Sequence, residues 1–352
     1  MRVHVYDLQV GDRLLHDVFN PYGLYVLPKN KILTAEDIVK LRNHRIEYVE
    51  IDYREPQEDD YTPPPQARQI VEEAGPRFES AVKGMKDYYL RVSGENGGSI
   101  GEEEVTGHFD PLIENLRKES DFVSVLLLLN TQDEYTFQHS VQVGMISYTL
   151  ARWLGKEEEE ARLIAKAGYL HDIGKSKIDP AILNKPASLT EEEFELVKTH
   201  TVHGYHILNR SMPERPEFGL VALQHHERLD GSGYPQGLRG DAIHPYARIV
   251  AVADVYSAMI SPRAYRKKRD LLDVLQELQR LSFSELDPVV VHTFINNMIP
   301  NFIGKRILFK NGQTGTIIMN NPHDPFRPLV KIKNEFIDLS RRKDLVIETI
   351  FV

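Results

Sequence analysis

Between Phe122 and Met298 the chain carries helical periodicity with few strand signals. A stretch of that length folds as a bundle of helices, and the bundle interior must be filled. One position inside it resists ordinary filling. Asp254 sits in ARIVAVADVYSAMI, an otherwise apolar helix. A carboxylate buried without a partner costs several kcal/mol, so Asp254 requires a metal, a cation or a set of hydrogen bonds.

Histidines recur through the same helical region. His139 begins the helix SVQVGMISYTLARWL and lies four residues before Val143, on the face that carries Ile146, Leu150 and Trp153. Alone it reads most simply as a satisfied core histidine. His171 and Asp172 close the apolar helix ARLIAKAGYL; Gly174 then breaks it, and Lys175 follows. Adjacent side chains diverge by about 100° on a helix, so such a pair holds one metal, or bridges two, most easily at a helix end. Alone this pair is ambiguous, because a cationic helix end beside a solvated aspartate looks the same. His200 lies on EEEFELVKTHTVHGYHIL, opened by a capping box of Thr190 and Glu193. Phe194, Val197, His200 and Gly204 share one face, which predicts that His200 points inward. His203 and His206 read as supporting or surface residues. His225 and His226, followed by Glu227, end a short helix that runs into the glycine-rich RLDGSGYPQGL.

Five histidines and two aspartates suit iron, manganese or zinc, since calcium prefers oxygen ligands alone. Seven ligands are too many for one catalytic ion that keeps an open position. Two ions sharing Asp172 is the economical reading, and such a pair suits phosphoryl chemistry. Two divalent ions against two carboxylates leave the centre near about +2 with neutral histidines. Lys175, Arg263 and Arg266 add to that, and arginine grips phosphate oxygens bidentately.

Composition sharpens the picture. The net charge is −9 with 27% charged residues, which argues against a protein that coats nucleic acid or an anionic membrane. The absence of cysteine excludes disulfides, thiol nucleophiles and thiolate metal sites, and it fits a reducing cytoplasm. The start MRVHVYDLQVGDRL has no apolar segment of signal-peptide type, and the longest apolar run, Val123 to Leu129, is too short to span a bilayer. A cytoplasmic location without membrane attachment is the expectation.

The flanks differ from the centre. Residues 1–52 read as a small α+β module with strands in VHVYDL, LYVLP and EYVEID and a helix capped by Thr34 through AEDIVKLRNHRI. No acidic pair follows its first strand, so it does not read as a phosphoacceptor receiver. Residues 53–65 form an acidic, proline-rich linker, and 66–121 form connecting helices. Residues 122–300 hold the histidine-bearing helical domain. Residues 301–352 read as a small β module, with Asn311-Gly312 joining KRILFK to TGTIIM, and further strands in LVKI and FIDL. The fold class is therefore mainly α, a helical bundle between two small strand-containing units.

The segments TFQHSVQVG, HDIGKSKI, KTHTVHGYHIL, HHERLDGSGYPQGL and ARIVAVADVYSAMISPRAYRKK, taken in order, resemble the HD-GYP phosphodiesterases of the HD superfamily. The string from His225 to Leu238 is the most specific part. The resemblance implies hydrolysis of cyclic di-GMP to pGpG, and in some members to GMP, by attack of a metal-bound hydroxide. It implies that His139, His171, Asp172, His200, His225, His226 and Asp254 are metal ligands, with Asp172 bridging. It implies that Asp172 and Lys175 act in catalysis, and that Lys175, Arg263, Arg266, Gly233, Tyr234 and Pro235 meet the substrate. Relatives with three metals carry a glutamate four residues before the first ligand histidine; here that residue is Tyr135, which implies two divalent transition ions, iron before manganese before zinc. Ser257 replaces an aspartate common in the family, which is expected to change the surroundings of the ligands rather than the ligand set. The implied partners are cyclic di-GMP, a protein at the GYP loop and a second copy of the chain, with no polymeric nucleic acid. Two other readings stay open: an interaction module that responds to cyclic di-GMP with weak catalysis, and a hydrolase of another cyclic dinucleotide.

Overall fold

The computed structural model describes residues 2–5, 8, 10–20, 24–44, 46, 48–52, 65–94, 97–118, 135–185, 187–260 and 270–351. They form two compact units, Met1–Pro65 and Gln66–Val352. The linker read at 53–65 lies outside the described residues except for Pro65, which opens a helix.

The first unit contains β1 (Arg2–His4), β2 (Val18–Phe19), β3 (Tyr25–Leu27), α1 (Ala35–Asn43) and β4 (Tyr48–Glu50). β1 pairs antiparallel with β4, and β2 with β3. The short β2 was not anticipated, and α1 stops before the expected His44–Ile46. Thr34 caps α1 reciprocally: Asp37 N donates to its Oγ1 at 3.2 Å, and Thr34 N donates to Asp37 Oδ2 at 3.0 Å. Leu14, Leu33, Leu41 and Ile51 are fully enclosed in its core.

The second unit is the helical bundle, joined to a five-stranded sheet. Its helices are α2 (Pro65–Ser93), α3 (Glu102–Lys118), α4 (Tyr135–Trp153), α5 (Glu158–Leu170), α6 (Pro180–Leu183), α7 (Glu191–Lys198), α8 (His200–Ser211), α9 (Pro216–Gln224), α10 (Pro245–Ile260), α11 (Leu271–Leu281) and α12 (Pro288–Met298). A 3₁₀ turn covers Ile173–Lys177. One apolar core runs from Ala74 in α2 to Ile350 near the C-terminus. α2 and α3 pack into it: Phe109 stacks on Tyr169 with ring centroids 4.5 Å apart, and the Tyr169 hydroxyl donates to the Ala81 carbonyl. No helix of the described residues is long and apolar enough to cross a membrane.

The strands β5 (Arg306–Phe309), β6 (Thr314–Met319), β7 (Leu329–Ile332), β8 (Glu335–Asp338) and β9 (Ile347–Phe351) make an antiparallel sheet in the order β8-β7-β6-β5-β9. Gly312, with φ of 80°, makes the β5–β6 turn that the Asn-Gly pair predicted. β9 was not anticipated; it closes the sheet against β5, a partner distant in sequence. Ile307, Ile317, Val330 and Ile350 form the buried face. Asp270 joins sheet to bundle, since its Oδ1 accepts from Leu272 N at 2.9 Å and its Oδ2 from Ile350 N at 3.1 Å.

One helix differs from the sequence reading in a way that matters for the site. The expected single helix through His200 is split at Thr199 into α7 and α8. The capping box at Thr190 and Glu193 is present. His200 is buried as expected, but Phe194, assigned to the same inward face, is 45% exposed. Six residues advance a helix by about 600°, which leaves the two side chains about 120° apart.

Candidate metal centre

Three histidines stand at helix ends. His171 caps α5, His225 caps α9, and His200 follows the last residues of α7. The final carbonyls of a helix have no donor within it. Each histidine uses one: Nδ1 of His171 faces Gly168 O at 2.6 Å, that of His200 faces Val197 O at 2.6 Å, and that of His225 faces Ala222 O at 2.9 Å. A carbonyl can only accept, so Nδ1 carries the proton. The Nε2 lone pairs are thereby turned inward.

They converge on Asp172. His200 Nε2 lies 3.3 Å from Asp172 Oδ1, and His225 Nε2 lies 3.8 Å from the same oxygen. His171 Nε2 lies 3.3 Å from Asp172 Oδ2, without the alignment of a hydrogen bond. Lys175 Nζ is 2.5 Å from Oδ2. One carboxylate thus turns one oxygen to each set of histidines. Across the second set, His139 Nε2 lies 3.0 Å from Asp254 Oδ1, and His171 Nε2 lies 3.9 Å from that oxygen. The ligand atoms form two buried groups, Asp172 with His200, His225 and His226, and His139 with His171 and Asp254; within each group they lie within 4.8 Å of one another.

The donor set fits metal ions on the evidence of its own polar atoms. His171 Nε2 and Asp172 Oδ1 are buried and make no hydrogen bond. His200 Nε2 and His225 Nε2 face each other at 3.4 Å, although both nitrogens point lone pairs inward. Buried acceptors crowded against one another are stabilised by a shared cation. The two groups are consistent with a binuclear metal site.

Electrostatics agree. Burial works against the ionised form of Asp172, yet Lys175 and His171 hold its carboxyl well below the usual range. Asp254 is likewise penalised by burial and held well below the usual range by His139 and His171. Burial drives His226 down to about 3, and burial with the neighbouring histidines drives His225 well below its ordinary value. Burial also lowers His139. For His171, burial is outweighed by the adjoining carboxylates, which raise its pKa. A proton and a metal ion compete for that same lone pair.

Other contacts escaped the sequence reading. His139 differs from the helix-end histidines because its Nδ1 faces Ser257 Oγ, at 3.0 Å; that hydroxyl donates to Gln142 Oε1 at 3.2 Å. Glu227 is buried, and its carboxylate accepts from Gln236 N at 2.7 Å and Leu238 N at 2.9 Å, fixing the loop after the histidine pair. The signal was there, an acid directly behind the two histidines. Tyr89, far back in α2, donates its hydroxyl to the Lys175 carbonyl at 2.9 Å. Nothing in local pattern marks that contact. Gly174 is more than a helix breaker: a Cβ there would fall 1.9 Å from His200 O and 2.4 Å from Gly204 N.

Of the loop residues expected at the substrate, Tyr234 stacks on the His226 ring with centroids 4.7 Å apart, and Pro235 is exposed. Gly233 lies against the backbone of His226–Arg228, where a Cβ would come within 2.4 Å of Arg228 N. Arg263 and Arg266 lie outside the described residues.

Within this helical unit, the pattern of one family, an HD domain, matches residues 125–290. Within the matched segment the histidine pair runs into Gly-Tyr-Pro. The chain is 43% identical over 181 residues to a cyclic di-GMP phosphodiesterase of Thermotoga maritima, covering 50% of this chain and 49% of that one. It is 33% identical over 218 residues to 3'3'-cGAMP-specific phosphodiesterase 1 of Vibrio cholerae, covering 60% of this chain and 48% of that one. The matched stretch spans about half the length of these curated relatives. Among solved structures, Bd1817, an HDG"Y"P protein of Bdellovibrio bacteriovorus, shares the fold with a TM-score of 0.52 at 17% identity, over 86% of this chain and 99% of that one.

Proposed function

We propose that this chain is a metal-dependent phosphodiesterase that hydrolyses cyclic di-GMP to pGpG. The observation that carries this reading is Asp172, whose two oxygens each face a different set of histidines. In this reading Asp172 would be shared by two ions, with His200, His225 and His226 holding one and His139, His171 and Asp254 the other. Two divalent transition ions, iron before manganese before zinc, would supply Lewis acidity and acidify water there.

The remaining roles belong to the chain itself. Lys175, against Asp172 Oδ2, holds a positive charge and a proton at the edge of the centre. There it neutralises a phosphate oxygen and protonates the leaving ribose oxygen. Tyr89 fixes the backbone of Lys175 from behind. Arg263, Arg266 and the loop Gly233-Tyr234-Pro235 complete the substrate contacts, and the loop, exposed at Pro235, offers a surface to a protein partner. The division into modules at 1–52, 66–121, 122–300 and 301–352 belongs to the same proposal. Because one relative is named for 3'3'-cGAMP, that nucleotide is the competing substrate.

Metal analysis beside turnover of both nucleotides tests the reading, with iron or manganese supplied anaerobically. Wild type should hold about two ions per chain and form product, and His226→Ala should lose about one ion and turnover together. A fully metallated wild type that binds cyclic di-GMP without cleaving it would sink the enzyme and favour an interaction module. Faster turnover of 3'3'-cGAMP would reassign the substrate.

A further inference from the structure

The split between α7 and α8 leaves an aromatic ring in an unusual place. Phe194 is 45% exposed, and no residue of α7 is buried. A single exposed ring needs no explanation. This one, however, continues a series that starts at the metal centre. The His226 ring stacks on Tyr234 at 4.7 Å, and Tyr234 meets Phe194 edge to face at 6.4 Å. Lys198 Nζ lies 4.9 Å from the Phe194 centroid and 5.5 Å from that of Tyr234, so one cation serves both rings. Its ammonium also pairs with Glu195 Oε1 at 2.6 Å. Rings, ammonium and carboxylate therefore line one wall leading outward from His226.

We propose that Phe194, Tyr234, Lys198 and Glu195 form the subsite for one guanine base of the bound nucleotide. The proposal rests on the cyclic-dinucleotide reading of the centre and adds what selects the base. A cyclic dinucleotide with one phosphate at the metals places a purine about one nucleotide away, and the wall begins one ring from the ligand His226. Aromatic rings accept any purine face, so Phe194 and Tyr234 supply affinity. Selection comes from the pair beside them. Guanine offers O6 and N7 as acceptors to Lys198, and its N1–H and N2–H to Glu195. Adenine presents an N6 amino donor where guanine has O6, so it would set donor against the lysine. Cyclic di-GMP and 3'3'-cGAMP both carry a guanine, so either can dock here. A dinucleotide of adenine alone cannot satisfy the pair.

Binding of hydrolysis-resistant phosphorothioate analogues of cyclic di-GMP and cyclic di-AMP to the metal-loaded full chain tests this. Wild type should prefer the guanine analogue. Phe194→Ala should weaken it about tenfold, within the range of one lost base stack, while Phe194→Trp retains it. Lys198→Ala should weaken the guanine analogue about tenfold and leave the adenine analogue unchanged. Metal content should match wild type throughout. Unchanged guanine binding in Phe194→Ala, or equal loss of both analogues in Lys198→Ala, overturns the subsite even if wild type is an active enzyme. A wild type that binds neither analogue overturns it too. Binding through Phe194 without turnover of the natural nucleotides keeps the subsite and overturns the phosphodiesterase.

Discussion

His139, in the second turn of α4, meets Asp254, inside α10, across two long helices, whereas His171, His200 and His225 stand at helix ends. The difference decides how each histidine is aimed. A helix-end histidine gives its Nδ1 proton to a carbonyl three residues earlier, so the backbone that forms the helix also orients the ring. His139 instead turns its Nδ1 to a side chain, Ser257, 118 residues away. Helix ends thus orient these histidines through local backbone, whereas the orientation of His139 depends on how two helices pack.

The largest effect should come from the residue both regions share. Asp172→Asn keeps the shape and removes the charge that both histidine sets face. We expect turnover to fall by about a thousandfold or more, with fewer than one ion retained per chain. Retention of two ions would mean that the two sets do not share Asp172, and that the centre is two independent sites.

Next comes a change aimed at the helix ends alone. Gly174→Ala drives a methyl group into the backbone of His200 and Gly204, which cannot swing aside as a side chain can. The overlap should cost about 1–3 kcal/mol or more. Thermal unfolding should shift down, and the ion held with His200 should weaken more than the one held with His139. An unchanged melting curve would show that the 3₁₀ turn and α8 separate without cost, and that the helix ends are less rigid than their hydrogen bonds imply.

Much of this arrangement was legible because helix ends have local signatures. The apolar run closing in His171-Asp172-Ile173-Gly174, the Thr190–Glu193 capping box and the His225-His226 pair before a glycine-rich loop each announce where a helix stops. The bundle and the Asn-Gly hairpin were readable for the same reason. Long-range geometry was not. β9 became a strand only by pairing with β5. Tyr89 reaches Lys175 across 86 residues. The break at Thr199 was hidden because periodicity continues on both sides of it. The sequence flagged Ser257 as a departure from the family it resembles, but not as the partner of His139.

The smallest effect tests that partner. Ser257 Oγ donates to Gln142 Oε1, so its lone pairs face the His139 Nδ1, and with the proton held there the Nε2 lone pair would be available to an ion shared with Asp254. Ser257→Ala removes the acceptor that fixes this tautomer. The ring can then rotate or move its proton to Nε2, where a hydrogen bond to Asp254 competes with the ion. Removing such an outer partner costs about 10–100-fold in metal affinity, and a hydroxyl, being neutral, should fall near the lower end. A titration of the metal-free chain should show one weakened ion and one unchanged. Ser257→Asp should restore the affinity, because a carboxylate accepts the same proton and the Gln142 amide can turn its nitrogen towards it. Equal weakening of both ions by Ser257→Ala would erase the contrast between the His139–Asp254 pair and the helix ends, and make the centre one cooperative unit.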